Sequence, residues 1–336
     1  MTYRVAVIGA GTMGGEHGRQ WASVAGAEVV GVLAESREEA GRAAEAAGCP
    51  AFGQGEFDAL LRQTRPDIVD VCVPTPFHRE YVERAAAAGK AVFVEKPLAR
   101  TLADCDAIVE AVERAGVPLM AGHVLRFFPE YAAAKRLVDA GGVGKPAAIR
   151  TARLAGMPHG EHNWYGDSAQ SGGVILDMII HDFDWLRWTF GPVTRVYAQG
   201  LYGKPEHAGK RDYALVTLRH DSGAVSHVTG SWAHPGGFRT TLEIAGDLGL
   251  IEHDSARSAP LTFLPHAAAG GGGGVAVPES PLAAEENPYF LELKAFVGAL
   301  DEGVPMPVTV YDAREAARIA LAALESIETG KVVTLA

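Results

Sequence analysis

Residues 3–15 read Tyr-Arg-Val-Ala-Val-Ile-Gly-Ala-Gly-Thr-Met-Gly-Gly, an apolar run that leads directly into closely spaced glycines. The run has no polar face, which is typical of a parallel strand covered by helices on both sides. Gly9, Gly11 and Gly14 follow the pattern G-x-G-x-x-G. At such a junction the first glycine allows the turn, the second admits a pyrophosphate, and the third lets the helix pack against the strand. The stretch therefore predicts a dinucleotide-binding fold, with the anion at the helix start.

The composition narrows the class of protein. A chain of 336 residues is long enough for two domains. It has 41 acidic and 30 basic residues, a net charge of −11, and no basic cluster, which argues against a nucleic-acid partner. No apolar run reaches the ~18 residues that a membrane span needs. Three cysteines without Cys-x-x-Cys spacing, and a first strand that leaves no room for a signal peptide, predict a cytoplasmic protein.

Apolar strands alternate with helices through residues 1–122, which predicts an α/β fold, a Rossmann domain with a doubly wound parallel sheet of six strands. Two prolines end the strand over residues 68–73 and place a rigid loop at the carboxyl edge of the sheet. Ligands of open α/β sheets bind at that edge. We therefore expect Pro74, Thr75 and His78 to contact the cofactor.

The second strand, residues 27–33, is followed by Ala34, Glu35, Ser36 and Arg37. Dinucleotide folds keep an acid near this position for the ribose hydroxyls, and Glu35 suits that role. Because Ala34 stands at the very end of the strand, Ser36 and Arg37 are an alternative, as holders of a 2′-phosphate. A third interpretation is a solvated loop charge without a ligand. The cofactor is accordingly NAD or NADP, and the sequence leaves the choice open.

From residue 123 onward the pattern changes. Strands over residues 193–200, 214–219, 224–232 and 239–245 alternate apolar and polar positions, with a hairpin turn at Asp221-Ser222-Gly223. Residues 123–336 are thus predicted to form an α+β domain with a large, mostly antiparallel open sheet, whose last helices can pack back on the first domain. The open face predicts a homodimer or homotetramer. The glycine run at residues 270–274 predicts a mobile loop.

Two further stretches carry candidate chemistry. Lys96, in Glu95-Lys96-Pro97, follows a buried strand and points toward the ligand crevice; an ordinary surface lysine is the alternative. Asp177 and His181 are four residues apart among apolar neighbours, so on a helix they share one buried face. Burying both groups is costly unless they pair structurally or serve a site. The stretch His159-Gly160-Glu161-His162 has no third ligand, so we predict no metal site.

The G-x-G-x-x-G stretch, Glu95-Lys96-Pro97, and the segment from Gly172-Gly173 to Asp177-x-x-x-His181-Asp182 together resemble the glucose–fructose oxidoreductase and inositol dehydrogenase family. The resemblance covers nearly the whole chain, including Arg126-Phe127-x-Pro129. It implies a Rossmann domain joined to an α/β domain with an open sheet, usually in dimers or tetramers. It also implies that Lys96, Asp177 and His181 are the catalytic set. The chain departs from the family at Ala34-Glu35, where many members have Asp.

The residue types suit the oxidation of a secondary alcohol. A proton must leave the oxygen as a hydride leaves the carbon, and an imidazole titrates near neutrality, so His181 is the predicted base. Asp177 orients it, and Lys96 stabilises the developing alkoxide. We therefore expect an NAD(P)-dependent oxidoreductase acting on a sugar, cyclitol or related polyol. Two alternatives stay open, a non-catalytic nucleotide- or sugar-sensing regulator and an NAD-dependent glycosidase.

The predicted contacts fall into two sets. The cofactor set is Gly9, Gly11, Thr12, Met13, Gly14, Glu35, Ser36, Arg37, Pro74, Thr75, His78, Glu95 and Lys96. The substrate set is Lys96, Arg126, Asn163, Trp164, Tyr165, Asp177 and His181. Trp164 and Tyr165 belong to it because aromatic faces and polar tips suit sugar rings.

Overall fold

The computed structural model describes residues 2–158, 161–201, 212–256 and 287–335, with the backbone only for residues 161–163. It divides the chain into two compact units, residues 1–127 with 280–314 and residues 128–279 with 315–336. The last part of the chain is therefore shared between the units. The sequence pattern assigns residues 123–336 to the second domain and predicts that its last helices pack back on the first.

The first unit is built on a parallel sheet of six strands in the order β3-β2-β1-β4-β5-β6. Its strands are β1 (Tyr3–Ile8), β2 (Ala27–Leu33), β3 (Ala51–Phe52), β4 (Ile68–Val71), β5 (Ala91–Glu95) and β6 (Leu119–Gly122). Its helices include α1 (Thr12–Trp21), α2 (Arg37–Ala47), α3 (Phe57–Thr64), α4 (His78–Ala87), α5 (Leu102–Ala115) and α9 (Pro288–Glu302). The order reverses between β1 and β4, which makes the switch point where such sheets bind ligands. The predicted doubly wound sheet is confirmed.

Short polar side chains and glycines set the helix ends in this unit. The Ser36 hydroxyl caps α2 by accepting the backbone N–H of Glu39 at 3.1 Å. Thr101 caps α5 in the same way. Gly48 and Gly116 end these two helices in the left-handed conformation, which costs glycine little because it has no Cβ. These caps set the two helices at Arg37–Ala47 and Leu102–Ala115.

The second unit has a sheet of seven strands in the order β12-β11-β7-β10-β9-β8-β13 among the described residues. Its strands are β7 (Pro146–Leu154), β8 (Val193–Leu201), β9 (Tyr213–His220), β10 (Val225–Ser231), β11 (Arg239–Gly246), β12 (Leu250–Asp254) and β13 (Val333–Thr334). Its helices include α6 (Pro129–Asp139), α7 (Ser168–Ser171), α8 (Ile180–Phe190) and most of α10 (Val310–Thr329). Only the β7–β10 pair is parallel, so the mostly antiparallel sheet is confirmed.

One face of this sheet is buried and the other is open. Along β8, Val196 and Ala198 are buried, whereas Tyr197 is 37% exposed. On β9, Leu218 is buried and Leu215 is 42% exposed. The alternation that predicted these strands therefore separates a packed face from one that presents large apolar side chains.

Some predictions lie outside the described residues. The glycine run at residues 270–274 is one of them, so its mobility stays a prediction. The absence of a metal site at the His-Gly-Glu-His stretch also stays a prediction. Residues 159–160 of this stretch are not described, and residues 161–162 are described without side chains. In the part of the chain that is described, no helix combines the length and apolar character that crossing a membrane requires.

Candidate active site

The glycine turn after β1 is open in the place that a phosphate group would need. Gly9 has φ +111°, and a Cβ on Gly14 would lie 1.9 Å from the Gly9 carbonyl oxygen, so these two glycines are required by the fold. A Cβ on Gly11 would meet nothing within 4 Å. Gly11 therefore leaves room for something other than the chain's own packing. The turn fits the pyrophosphate of a dinucleotide.

Helix α1 begins directly at this turn. Thr12 and Met13 form its first turn, directly after the glycines. Gly11 is the N-cap residue, and no side chain caps it. The first N–H groups of a helix without such a cap favour an anion, because they carry partial positive charge and need acceptors. The helix start thus supports the same ligand as the open turn.

The loop after β2 bears on the choice between NAD and NADP. Ala34 is buried, whereas Glu35, Ser36 and Arg37 are exposed. The Arg37 guanidinium binds the Glu56 carboxylate with both Nε and Nη2, the former at 2.6 Å from Oε2. Glu56 also accepts the backbone N–H of Gly53 at 2.7 Å. Arg37 and Gly53 together lower the pKa of Glu56 to about 2, so the ion pair persists at neutral pH.

Lys96 follows β5 at the same sheet edge as the glycine turn. Val71 of β4 pairs with Ile8 of β1 on one side and with Val94 of β5 on the other. The carboxyl ends of the three strands are therefore adjacent. The Lys96–Pro97 peptide bond is cis, and the backbone N–H of Lys96 donates to Glu95 Oε2 at 3.0 Å. Pro74 and Thr75 follow β4 at this edge, as predicted.

Three residues from the predicted contact sets have other partners. His78 is buried, and its two ring nitrogens lie 2.8 Å from the carbonyl oxygens of Val73 and Pro97. Burial lowers its pKa, and the ring links two loops of the sheet edge. These contacts give His78 a structural role, and its predicted contact with the cofactor stays a prediction.

Arg126 and Glu95 also have partners within the first unit. Arg126 is 5% exposed, donates to the Pro307 carbonyl oxygen at 2.9 Å and lies 3.5 Å from an Asp312 oxygen. The carboxylate of Glu95 faces His17 and the Lys96 amide. A motif places a side chain along the chain, but it does not show which way the side chain turns. The predicted substrate contact of Arg126 and the predicted cofactor contact of Glu95 therefore stay predictions.

Asp177 and His181 belong to the second unit, whereas Lys96 belongs to the first. The prediction of one continuous helix through both residues was wrong. A π-helical turn covers Val174–Met178, the backbone changes at Ile179, and α8 begins at Ile180. Within this segment Asp177 is 9% exposed, and His181 is partly exposed. Single π turns inside helices recur at functional sites.

Three glycines explain why this segment folds as it does. Gly172 and Gly173 have φ of +73° and +66°, which side chains rarely adopt, so they fix the entry into the π turn. On β10, a Cβ added to Gly230 would lie 2.6 Å from an Ile179 methyl carbon and 3.2 Å from one of Val174. Gly230 thus lets the π turn approach the sheet closely, a role that the sequence did not reveal.

Asp182, the last residue of the motif, is paired with a buried arginine. Asp182 accepts from Nε of Arg153 at 2.7 Å, and both side chains are almost fully buried. Removing one member of such a pair leaves an uncompensated buried charge. Asp182 therefore anchors α8 to β7. The sequence did not identify Arg153, although an arginine inside a strand of alternating pattern was a usable signal.

The aromatic residues of the predicted substrate set lie in a short 3₁₀ segment, Glu161–Gly166. The rings of Trp164 and Tyr165 are 4.1 Å apart between centroids, and Tyr165 lies edge-on to Trp232 at 6.5 Å. Trp232 extends the aromatic group that the sequence predicted. The side chain of Asn163 is outside the described part, so its substrate contact stays a prediction.

Comparisons with known proteins agree with this arrangement. The model of the oxidoreductase family with an NAD-binding Rossmann fold matches residues 3–123, and that of the GFO/IDH/MocA C-terminal domain matches residues 131–252. The scyllo-inositol 2-dehydrogenase (NAD(+)) of Bacillus subtilis is 33% identical over 99% of this chain and 96% of its own. The myo-inositol 2-dehydrogenase of Thermotoga maritima is 31% identical over 99% and 98%.

A solved structure shares the fold over the same length. The probable dehydrogenase from Thermotoga maritima superposes with a TM-score of 0.85 at 30% identity, covering 98% of both chains. The two family models match residues of both units, and the open glycine turn lies inside the match over residues 3–123. The chain therefore belongs to the GFO/IDH/MocA oxidoreductase family and is an NAD(P)-binding enzyme.

Proposed function

We propose that this protein is a dehydrogenase that oxidises a secondary hydroxyl of a cyclic polyol, of the inositol class, and reduces the ketone in the reverse direction. The observation that carries the proposal is the open Gly11 turn, which shares a sheet edge with Lys96. The substrate class is supported by the relatives named as inositol dehydrogenases.

Each proposed residue has one task. Gly9, Gly11, Thr12, Met13 and Gly14 hold the pyrophosphate, Glu35 binds ribose hydroxyls, and Pro74 and Thr75 line the same edge. A nicotinamide bound there would supply the acceptor for the hydride that leaves the alcohol carbon. His181 takes the hydroxyl proton and passes it to water, which its partial exposure permits. Asp177 orients the imidazole, and the Lys96 ammonium stabilises the negative charge that develops on the oxygen.

The direct test is a panel of cyclitols and sugars with NAD and with NADP, followed by the absorbance of the reduced cofactor. We expect reduced cofactor to accumulate with an inositol. A nucleotide-sensing regulator would bind cofactor without turnover. A glycosidase that uses NAD transiently would release a sugar from a glycoside without net reduction, so either pattern would contradict the proposal.

We further propose that NAD is preferred over NADP. A 2′-phosphate needs a cation beside the adenosine ribose, and the arginine of this loop, Arg37, already binds Glu56. Glu35 adds a negative charge at the same loop. Both features favour ribose hydroxyls over a phosphate.

The variant Glu56→Gln tests this preference, because it removes the charge that holds Arg37. We expect the ratio of kcat/KM for NAD to kcat/KM for NADP to fall about tenfold, as one charge-assisted contact would give. The matched control is Glu38→Gln, since Glu38 also pairs with an arginine, Arg42, but on the exposed side of α2. A ratio that is equal in both variants would contradict the role given to Arg37.

We also propose that the open face of the second sheet joins copies of the chain into a homo-oligomer, dimer or tetramer. Tyr197 and Leu215 are large apolar residues on a broad sheet surface, the composition typical of subunit interfaces. Leu215→Arg should lower the mass measured by light scattering after size exclusion, because it buries a charge in the interface. Leu248→Arg is the control, since Leu248 is 76% exposed in the turn between β11 and β12. An unchanged mass in Leu215→Arg would contradict this interface.

A cytoplasmic location is part of the proposal. It is supported by the three cysteines, Cys49, Cys72 and Cys105, which are all free thiols.

A further inference from the structure

The first unit buries four ionisable side chains against one another, from α1, β4, β5 and α9. His17, Asp70 and Glu292 have no exposed surface, and Glu95 is 5% exposed. His17 Nδ1 lies 2.9 Å from Asp70 Oδ2, and Nε2 lies 3.1 Å from Glu95 Oε1. A neutral imidazole has a single N–H and can donate to only one carboxylate. His78 also lies between two acceptors, but these are uncharged carbonyl oxygens. The two carboxylates beside His17 instead offer negative charge to both of its nitrogens, which favours an imidazolium.

The surroundings of His17 support this charge. Burial by itself lowers the pKa of His17, but the Asp70 charge and hydrogen bond, with the Cys72 contact, raise it well above the ordinary value. Asp70 is fixed in turn, because Trp21 Nε1–H donates to it at 2.7 Å and the Cys72 thiol at 3.3 Å. Burial also raises the pKa of Cys72, so that thiol stays protonated.

Glu292 is the fourth member and differs from the two other acids. Its carboxyl group lies within 4.8 Å of ligand atoms of His17 and Glu95, yet neither of its oxygens has a hydrogen-bond partner in the described part of the chain. Burial and the Glu95 charge raise the pKa of Glu292 well above the usual range. Tyr289 also faces His17, with ring centroids 6.2 Å apart, and burial raises its pKa. Both shifts favour the uncharged forms of Glu292 and Tyr289.

The second oxygen of Glu95 connects this group to Lys96, because Oε2 accepts the Lys96 backbone N–H. We propose that His17 is a positioning residue, an imidazolium that fixes the Glu95 carboxylate and, through it, the backbone from which Lys96 projects its amine. The proposal deepens the proposed function, since Lys96 is the catalytic lysine there. A bound metal ion is the rival, because His17, Glu95 and Glu292 have suitable ligand atoms. A metal, however, needs a nitrogen lone pair, and an imidazolium has none to offer.

The charge of His17 can be observed directly by NMR of the protein with ¹⁵N-labelled histidine. We expect one ring to keep both nitrogens protonated well above the ordinary imidazole pKa of about 6.5, and His17→Gln to remove that signal. His220 is an internal comparison, since it is equally buried between the Gly191 carbonyl and the Ser226 hydroxyl, and burial lowers its pKa. If every histidine ring is neutral at alkaline pH, the proposal is overturned.

Transmission to Lys96 needs a probe on that lysine. Reductive methylation with ¹³C keeps the charge of the amine and gives a methyl signal, which Lys96→Arg assigns. Glu95→Gln should shift this signal and its titration midpoint, because a glutamine has one acceptor oxygen for two donors, His17 and the Lys96 amide. His220→Gln, the control, should leave both unchanged. A Lys96 signal that Glu95→Gln does not move would overturn the proposal, whether or not His17→Gln folds.

Kinetics provide a third measurement. In polyol oxidation His17→Gln should lower kcat about 10- to 100-fold with unchanged NAD affinity, because a small displacement of a catalytic group costs that much. The loss should vanish in a Lys96→Met background, whereas a purely structural effect would persist there. Both NMR measurements decide the role of His17 even if the wild type oxidises no polyol. Failure of the proposed function is therefore distinguishable from failure of the inference about His17.

Stability against pH distinguishes a neutral Glu292 from a metal ligand. A folded pKa raised above the unfolded value gives stability that is full below the unfolded pKa, about 4.5 here, and is lost as pH rises through the folded pKa. Glu292→Gln removes this loss, so its melting temperature should exceed that of the wild type at alkaline pH. A lower melting temperature, together with a chelator effect on the wild type and metal in the purified protein, would overturn the proposal.

Discussion

His181→Asn should remove most of the turnover while the affinity for NAD stays near that of the wild type. The imidazole is the proposed base, and losing a general base costs about 10²–10⁴-fold in rate. Cofactor affinity is spared because the proposed pyrophosphate site is the Gly11 turn of the first unit, whereas His181 belongs to the second. Steady-state kinetics with an inositol, and calorimetry with NAD alone, separate the two quantities.

Asp177→Asn completes this test. It should cost less than His181→Asn, because the imidazole remains and only its orienting carboxylate is lost. The double variant should lose less than the product of the two single losses, since groups that act as a unit are not additive. The wild-type rate should rise with pH through one ionisation as the imidazole loses its proton. Full activity in His181→Asn, or strictly multiplicative losses, would mean that the π turn and α8 have only a structural role.

Gly11→Val should abolish cofactor binding in a protein that still folds. A Cβ at Gly11 meets nothing within 4 Å, so the added side chain occupies only the space proposed for the pyrophosphate. We expect the Kd for NAD to rise at least about 100-fold, because the phosphates lose their approach to the backbone. Calorimetry measures the affinity, and circular dichroism checks the fold.

Two other glycines of the same segment serve as controls for Gly11→Val. Gly18→Ala, on α1 with open space around its Cβ, should keep NAD affinity and raise stability by about 0.5–1 kcal/mol. Gly14→Ala should fail to fold normally, because its Cβ would lie 1.9 Å from the Gly9 carbonyl oxygen. Wild-type affinity in a folded Gly11→Val protein would place the cofactor elsewhere.

The local sequence determined much of the fold. The glycine spacing after β1 and the apolar runs of the parallel strands depend on neighbours along the chain, so the first sheet could be predicted. The hairpin turn Asp221-Ser222-Gly223 could also be predicted from local sequence, and its Gly223 has a φ of +91°. The family could be predicted as well, because its motifs are short and their order along the chain is visible.

The tertiary structure alone decided where charged side chains turn. His17 and Asp70 are 53 positions apart, and Arg153 and Asp182 are 29 apart, so no local pattern pairs them. The π turn before His181 depends on Gly230, which lies on β10 across the sheet. Glu95 and Arg126 sit in recognisable motifs, yet their carboxylate and guanidinium face inward partners. A buried charge requires a partner wherever the fold supplies one, and that requirement is satisfied in three dimensions, not along the chain.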